Sequence, residues 1–92
     1  MQAQARHILV SNAKKAKKLI QEMGRGANFA DLAKQHSTCP SGKKGGDLGV
    51  FGPGEMVSEF DAVIFKEKLN TVHGPIRTPF GYHLIEILER TK

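Results

Sequence analysis

Apolar and polar positions along this chain change period several times, and each change marks an element. Arg6-His7-Ile8-Leu9-Val10 is a β-branched and apolar run that predicts a buried strand. Ser11 or Asn12 can cap a following helix, because a short polar oxygen satisfies its first free backbone N–H groups. Ala16, Leu19, Ile20 and Met23 then recur at helical spacing with lysines opposite. Gly24 and Gly26 end that helix, since glycine enters a left-handed cap without steric cost. Asn28 is the next cap, and Phe29, Leu32, Ala33 and His36 at i, i+3, i+4 and i+7 predict a second, shorter helix.

Regularity is lost between Pro40 and Pro53. Six of the ten glycines (42, 45, 46, 49, 52 and 54) fall between positions 42 and 54, with one brief strand expected at Asp47-Leu48-Gly49-Val50-Phe51. Glu55 to Lys68 returns to helical spacing, stacking Met56, Phe60 and Ile64. Pro75 to Thr78 reads as a short strand, Pro79-Phe80-Gly81 as a turn, and Tyr82 to Arg90 as the longest strand. The order β-α-α-β-α-β-β predicts an α+β domain with a small sheet. No repeat or linker interrupts the chain, so residues 1–92 are expected to form one domain.

Composition narrows the class. There are 92 residues, 39% hydrophobic, with a single cysteine and a formal charge of +5. One cysteine precludes an internal disulfide and suggests a reducing, cytoplasmic setting. The apolar runs are too short for a membrane-spanning helix, and Met1 to Arg6 lacks the apolar stretch of a secretory signal. The excess positive charge lies in the first half, chiefly at Lys14-Lys15-Ala16-Lys17-Lys18, with Lys43 and Lys44 beyond. Such a patch favours nucleic acid or acidic partners. The simpler reading is the wet face of a helix.

Few groups offer chemistry. Strand alternation puts His7 and Leu9 on one face of the first strand, and His83, Ile85 and Ile87 on one face of the last. An unpaired imidazole among apolar side chains is costly. Each therefore finds a backbone partner, or the strands are neighbours and the rings bond each other. Cys39 lies just beyond His36-Ser37-Thr38, at the mouth of the glycine-rich loop. No signature of a Cys–His hydrolase accompanies it. One cysteine and scattered histidines do not supply metal-ligand spacings, so neither metal nor cofactor is expected. Gly42-Lys43-Lys44-Gly45-Gly46 lacks the ending of a phosphate cradle.

Taken together, several segments resemble the parvulins, small peptidyl-prolyl cis/trans isomerases. They are His7-Ile8-Leu9-Val10, Phe29-Ala30-Asp31-Leu32-Ala33, and the stretch from His36 to Gly49 with Ser37-Thr38-Cys39-Pro40-Ser41-Gly42 and Gly45-Gly46-Asp47-Leu48-Gly49. Phe51, Gly54-Glu55-Met56-Val57, Phe60-Asp61, Gly74-Pro75-Ile76 and Thr78-Pro79-Phe80-Gly81-Tyr82-His83-Leu84-Ile85 follow in order. The resemblance implies the parvulin fold, a four-stranded antiparallel sheet surrounded by four helices (β-α-α-α-β-α-β-β), the third a short turn around Ser41–Lys44.

It also implies roles. Leu48, Met56, Phe60 and Phe80 would line a pocket for the substrate's proline ring. His7 and His83 would pair at its floor, and Cys39 and Thr78 would complete a polar cluster around the reacting amide. Ile64 is assigned to plain core packing, and His36 to packing against the loop.

Two departures stand out. Leu69-Asn70-Thr71-Val72-His73 replaces a turn in which the family commonly has glycine, a substitution that asparagine's tolerance of the left-handed region allows. The phospho-specific branch carries an arginine cluster after the first strand, whereas Ser11-Asn12-Ala13 leads straight into a helix here. The expected substrates are therefore proline-containing polypeptides without phosphoserine or phosphothreonine, with a hydrophobic residue before the proline. The domain is expected to work as a monomer, with no accompanying module or membrane anchor. Two rival readings use the same residues: a binding module that holds nucleic acid or an acidic partner on Lys14–Lys18, and a holdase-like chaperone.

Overall fold

The computed structural model describes residues 2–91; Met1 and Lys92, the two ends of the expected 1–92 domain, lie outside the described residues. Strand β1 (Gln2–Val10) is followed by helices α1 (Ala13–Gly24) and α2 (Phe29–His36), a 3₁₀ turn (Pro40–Lys44) and strand β2 (Asp47–Phe51). Helix α3 (Ser58–Ile64) and strands β3 (Val72–Thr78) and β4 (Gly81–Thr91) complete the order. All four strands form one antiparallel sheet in the order β2-β1-β4-β3. This is the expected α+β architecture, with one of the four helices a 3₁₀ turn. No described helix is long and apolar enough to cross a membrane.

The asparagine caps set the helix starts. Asn12 Oδ1 accepts from Lys15 N–H at 2.8 Å and Asn28 Oδ1 from Asp31 N–H at 3.2 Å, each satisfying a first-turn donor. Strand alternation then divides the core between the two faces of the sheet. Ile8, Val10 and Leu84 pack against Ala16 and Leu19 of α1 and Phe29, Leu32 and Ala33 of α2. On the opposite face, Ala3, Ala5, Ile85 and Ile87 pack against Phe51, Phe60 and Ile64. At the edge of the first face, Arg6 bonds Glu86 and lies over the Phe29 ring.

Three element boundaries differ from the sequence reading. β1 begins four residues before Arg6, because Ala3 and Ala5 alternate with glutamines and bury small side chains beneath Phe51 and α3. The expected Glu55–Lys68 helix shrinks to Ser58–Ile64. Before it, Glu55 N–H bonds Gly52 O, and Gly54 N–H bonds Asp61 Oδ2 at 2.7 Å, holding residues 52–56 as a separate turn. After it, the Arg90 guanidinium takes the carbonyls of Ile64 (2.8 Å) and Glu67 (2.9 Å), which would otherwise continue or orphan the helix end. β3 starts at Val72, and its register shifts between His73 and Ile76, around Pro75 on the sheet's outer edge. Asn70 adopts φ 57°, the left-handed conformation expected of it.

Candidate functional site: a paired-imidazole cavity

The site is assembled by strand register. His7 lies opposite Ile85 and Leu9 opposite His83 in the β1–β4 ladder, so the two histidines are diagonal neighbours on one face. Their rings stack at 5.2 Å between centroids, with Nδ1 to Nδ1 at 3.0 Å. The sequence left open whether these imidazoles bond the backbone or each other; they bond each other.

A chain of hydrogen bonds extends from both rings. His7 Nε2 lies 3.0 Å from Ser41 Oγ, which donates to Cys39 Sγ at 3.3 Å. His83 Nε2 lies 2.7 Å from Thr78 Oγ1, which accepts from Phe80 N–H at 3.2 Å. One assignment of protons satisfies every link. Ser41 gives its hydroxyl proton to sulfur and accepts from His7 Nε2–H. His7 Nδ1 then accepts from His83 Nδ1–H, and His83 Nε2 accepts the Thr78 proton. Both imidazoles are neutral in this scheme. Burial holds them so: His7 is only 5% exposed, and desolvation together with the nearby His83 lowers its pKa to about 4. Desolvation also lowers that of His83.

A pH dependence follows. The unfolded chain takes up histidine protons near pH 6.5, whereas folded His7 resists until about pH 4. Between these values the unfolded state binds more protons, so stability falls as pH falls from 6.5 towards 4. For His7 the full loss is about 3 kcal/mol, and His83 adds a change of the same sign. Denaturant titrations from pH 7.5 to pH 4 check this, and His7→Asn is expected to flatten the slope.

Above the imidazoles opens a cavity of about 370 Å³. Its walls are Leu9, Leu48, Met56, Val57, Phe60 and Phe80; His7 and His83 form part of its lining, and Thr38, Cys39 and Pro40 form the rest. Phe60 meets both imidazoles edge-on, at 5.7 Å and 5.6 Å, while Phe80 stands 70% exposed at the rim. The cavity is small, walled almost wholly by carbon, and polar only at its base and one side.

The structure thus brings His7, Cys39, Leu48, Met56, Phe60, Phe80 and His83 to one cavity. Thr78 is the exception among the expected site residues. It is buried behind His83 and reaches the cavity only through that ring. Met56 lines the cavity from the turn before α3 rather than from the helix itself. His36 borders a groove beside α1. Ser41, the link between His7 and Cys39, was given no role from sequence; its place two residues after the cysteine in a tight turn was the available signal. Among the described residues, no three His, Cys, Asp or Glu side chains are grouped to hold a metal ion.

A sheet of this order carrying an apolar cavity over two bonded imidazoles defines the parvulin class. The sequence profile of the PPIC-type PPIASE domain matches residues 1–91, and the chain belongs to that family of peptidyl-prolyl isomerase domains. The foldase protein PrsA of Geobacillus kaustophilus (strain HTA426) is 44% identical over 89 residues, covering 96% of this chain and 32% of the relative. The chain therefore spans about a third of the length of the curated relatives it matches. The crystal structure of PrsA from Bacillus anthracis superposes with a TM-score of 0.95 at 39% identity, over 99% of this chain and 42% of that one. NmPin, the parvulin of Nitrosopumilus maritimus, gives 0.86 at 37% identity and covers 96% of both chains.

Proposed function

We propose that this chain accelerates cis/trans rotation about X–Pro bonds in flexible or unfolded polypeptides, without covalent chemistry. The carrying observation is the apolar cavity of about 370 Å³ set directly over a neutral imidazole pair. An X–Pro amide resists rotation by about 18–20 kcal/mol because twisting destroys its resonance, although its two planar forms differ little in energy. The catalyst has only to bind the twisted amide better than either planar form. Removing about 5 kcal/mol would give roughly 10³–10⁴-fold acceleration.

Leu48, Met56, Phe60 and Phe80 would grip the pyrrolidine ring and fix one side of the rotating bond. Amide resonance is favoured in polar surroundings, so excluding water weakens the partial double bond. The imidazole pair and Cys39 would supply dipoles as resonance is lost, and Thr78 would act through His83 by setting its tautomer.

Four finer readings belong to the same proposal. The carbon-lined cavity supports a hydrophobic residue directly before the proline. With lysines on a helix surface instead of an arginine cluster beside β1, phosphorylation of the substrate would not be required. A cavity formed wholly within one chain supports action as a monomer, and one free thiol supports a cytoplasmic setting.

Exchange NMR or a protease-coupled assay over a panel of X–Pro peptides, phosphorylated ones included, tests the activity and its preferences. Cys39→Ala is expected to keep turnover within about tenfold, the loss of one weak dipole. Abolished turnover in a folded Cys39→Ala protein, with a thiol adduct trapped in the parent, would overturn the non-covalent reading.

A further inference from the structure

The cation-rich face of α1 costs the fold something and receives nothing from it. Lys14, Lys15, Lys17 and Lys18 are all exposed, and the first turn of the helix holds no acidic residue. Lys14 and Lys15 thus oppose the positive end of the helix dipole. Lys14 repels Lys17 and Lys18 at i+3 and i+4. Among the described residues the one ion pair is Arg6–Glu86, so none of the four lysines has a carboxylate partner among them.

These lysines do not lie on a featureless convex surface. Lys14, Lys15, Lys17 and Lys18 border an open groove of about 700 Å³, with a single carboxylate, Glu22, among them and His36 of α2 also in its lining. Two residues further along, Thr38 and Cys39 line the imidazole cavity. Thr38 N–H bonds Leu9 O at 2.8 Å and pins this segment to β1. The path from His36 to Cys39 is three residues, at most roughly 10 Å. Groove and cavity therefore flank the same segment, residues 36–39 at the end of β1, although α1 and the imidazoles belong to opposite faces of the sheet.

We propose that the groove is a second subsite for the same polypeptide, recognising acidic residues about three to six positions from the proline. It rests on the isomerase reading and names a substrate class within it. A peptide whose proline ring occupies the cavity, continuing in extended form past Thr38, would bring its carboxylates over Lys14, Lys17 and Lys18. The residue directly before the proline stays in the apolar cavity; the acidic preference concerns more distant positions. Charge attraction at exposed sites acts mainly on association, so the gain falls on KM and fades with salt.

The test uses peptides with one Ala–Pro bond and three glutamates at those distances, on one side or the other, against glutamine counterparts. Exchange NMR gives kcat/KM at about 20 mM and about 300 mM salt, conditions that differ several-fold in screening length. The glutamate peptide with the productive polarity is expected to gain about fivefold at low salt, chiefly through KM. That gain should vanish at high salt and in the combined Lys14→Glu, Lys17→Glu, Lys18→Glu variant. Equal kcat/KM for glutamate and glutamine peptides on both sides would overturn the subsite while leaving the isomerase reading intact. No turnover of any peptide would overturn both. Duplex DNA that occupies the lysines and is not displaced by the glutamate peptide would overturn it in favour of nucleic acid.

Discussion

Phe60→Ala is expected to lower kcat/KM by about a hundredfold and to cost the fold about 3–5 kcal/mol. Phe60 is 3% exposed and serves two structures at once. Towards the core it packs edge-on with Phe51 at 6.4 Å; towards the cavity it meets both imidazoles edge-on. Truncation would leave a void under the cavity and remove the wall that keeps water from a bound proline ring. The two effects separate by design. Phe60→Leu restores much of the volume and should recover most of the stability, yet without an aromatic edge against His7 and His83 it should still turn over slowly. Urea titrations and exchange NMR below the midpoint of each variant give the two numbers. A folded Phe60→Ala protein with kcat/KM within twofold of the parent would mean that the proline ring binds elsewhere.

Much of this arrangement was legible in the sequence because it rests on periodicity. The spacing of Ala16, Leu19, Ile20 and Met23, and that of Phe29, Leu32 and Ala33, located both longer helices; Asn28 marked the second start, and Ser11 or Asn12 the first, of which the structure uses Asn12. What escaped depends on interactions with distant residues. Ala3 and Ala5 have poor intrinsic strand preference and become strand only because β4 pairs with them and Phe51 covers them. Helix α3 ends where Arg90, 26 residues beyond Ile64, takes its last carbonyl oxygen. No local pattern carries that information.

The site follows the same division. Alternation alone placed His7 and His83 on inward faces, and the resemblance gathered the apolar wall residues. That the two rings touch depends on register, with Leu9 opposite His83; a slip of one residue would turn one imidazole to the other face. Thr78 could not be placed behind His83 from sequence, because its position follows from the tight turn that sets Thr78 opposite Gly81. Ser41 escaped for a related reason. It reaches His7 only because the 3₁₀ turn and the glycines after it fold back onto β1.

That close approach makes Gly46→Ala the second large prediction, with an expected loss of more than about 3 kcal/mol and a matching loss of turnover. Gly46 has φ +87°, and an added Cβ would overlap the His7 carbonyl oxygen. Its own carbonyl accepts the His7 N–H at 2.9 Å, and its N–H bonds Ser41 O at 2.9 Å. An alanine must therefore push the loop off β1. Ser41 then withdraws from His7 Nε2, and the proton chain that fixes both imidazole tautomers loses its anchor. Gly26→Ala is the control. Gly26 also has positive φ, at +101°, but an added Cβ there meets nothing within 4 Å, and it lies away from the cavity. It should cost only the conformational strain, about 1–2 kcal/mol, and leave kcat/KM unchanged. Chemical denaturation and exchange NMR on the pair decide the matter. Equal penalties at the two glycines would attribute the Gly46 effect to backbone strain alone and remove the loop's grip on His7 from the account of the site.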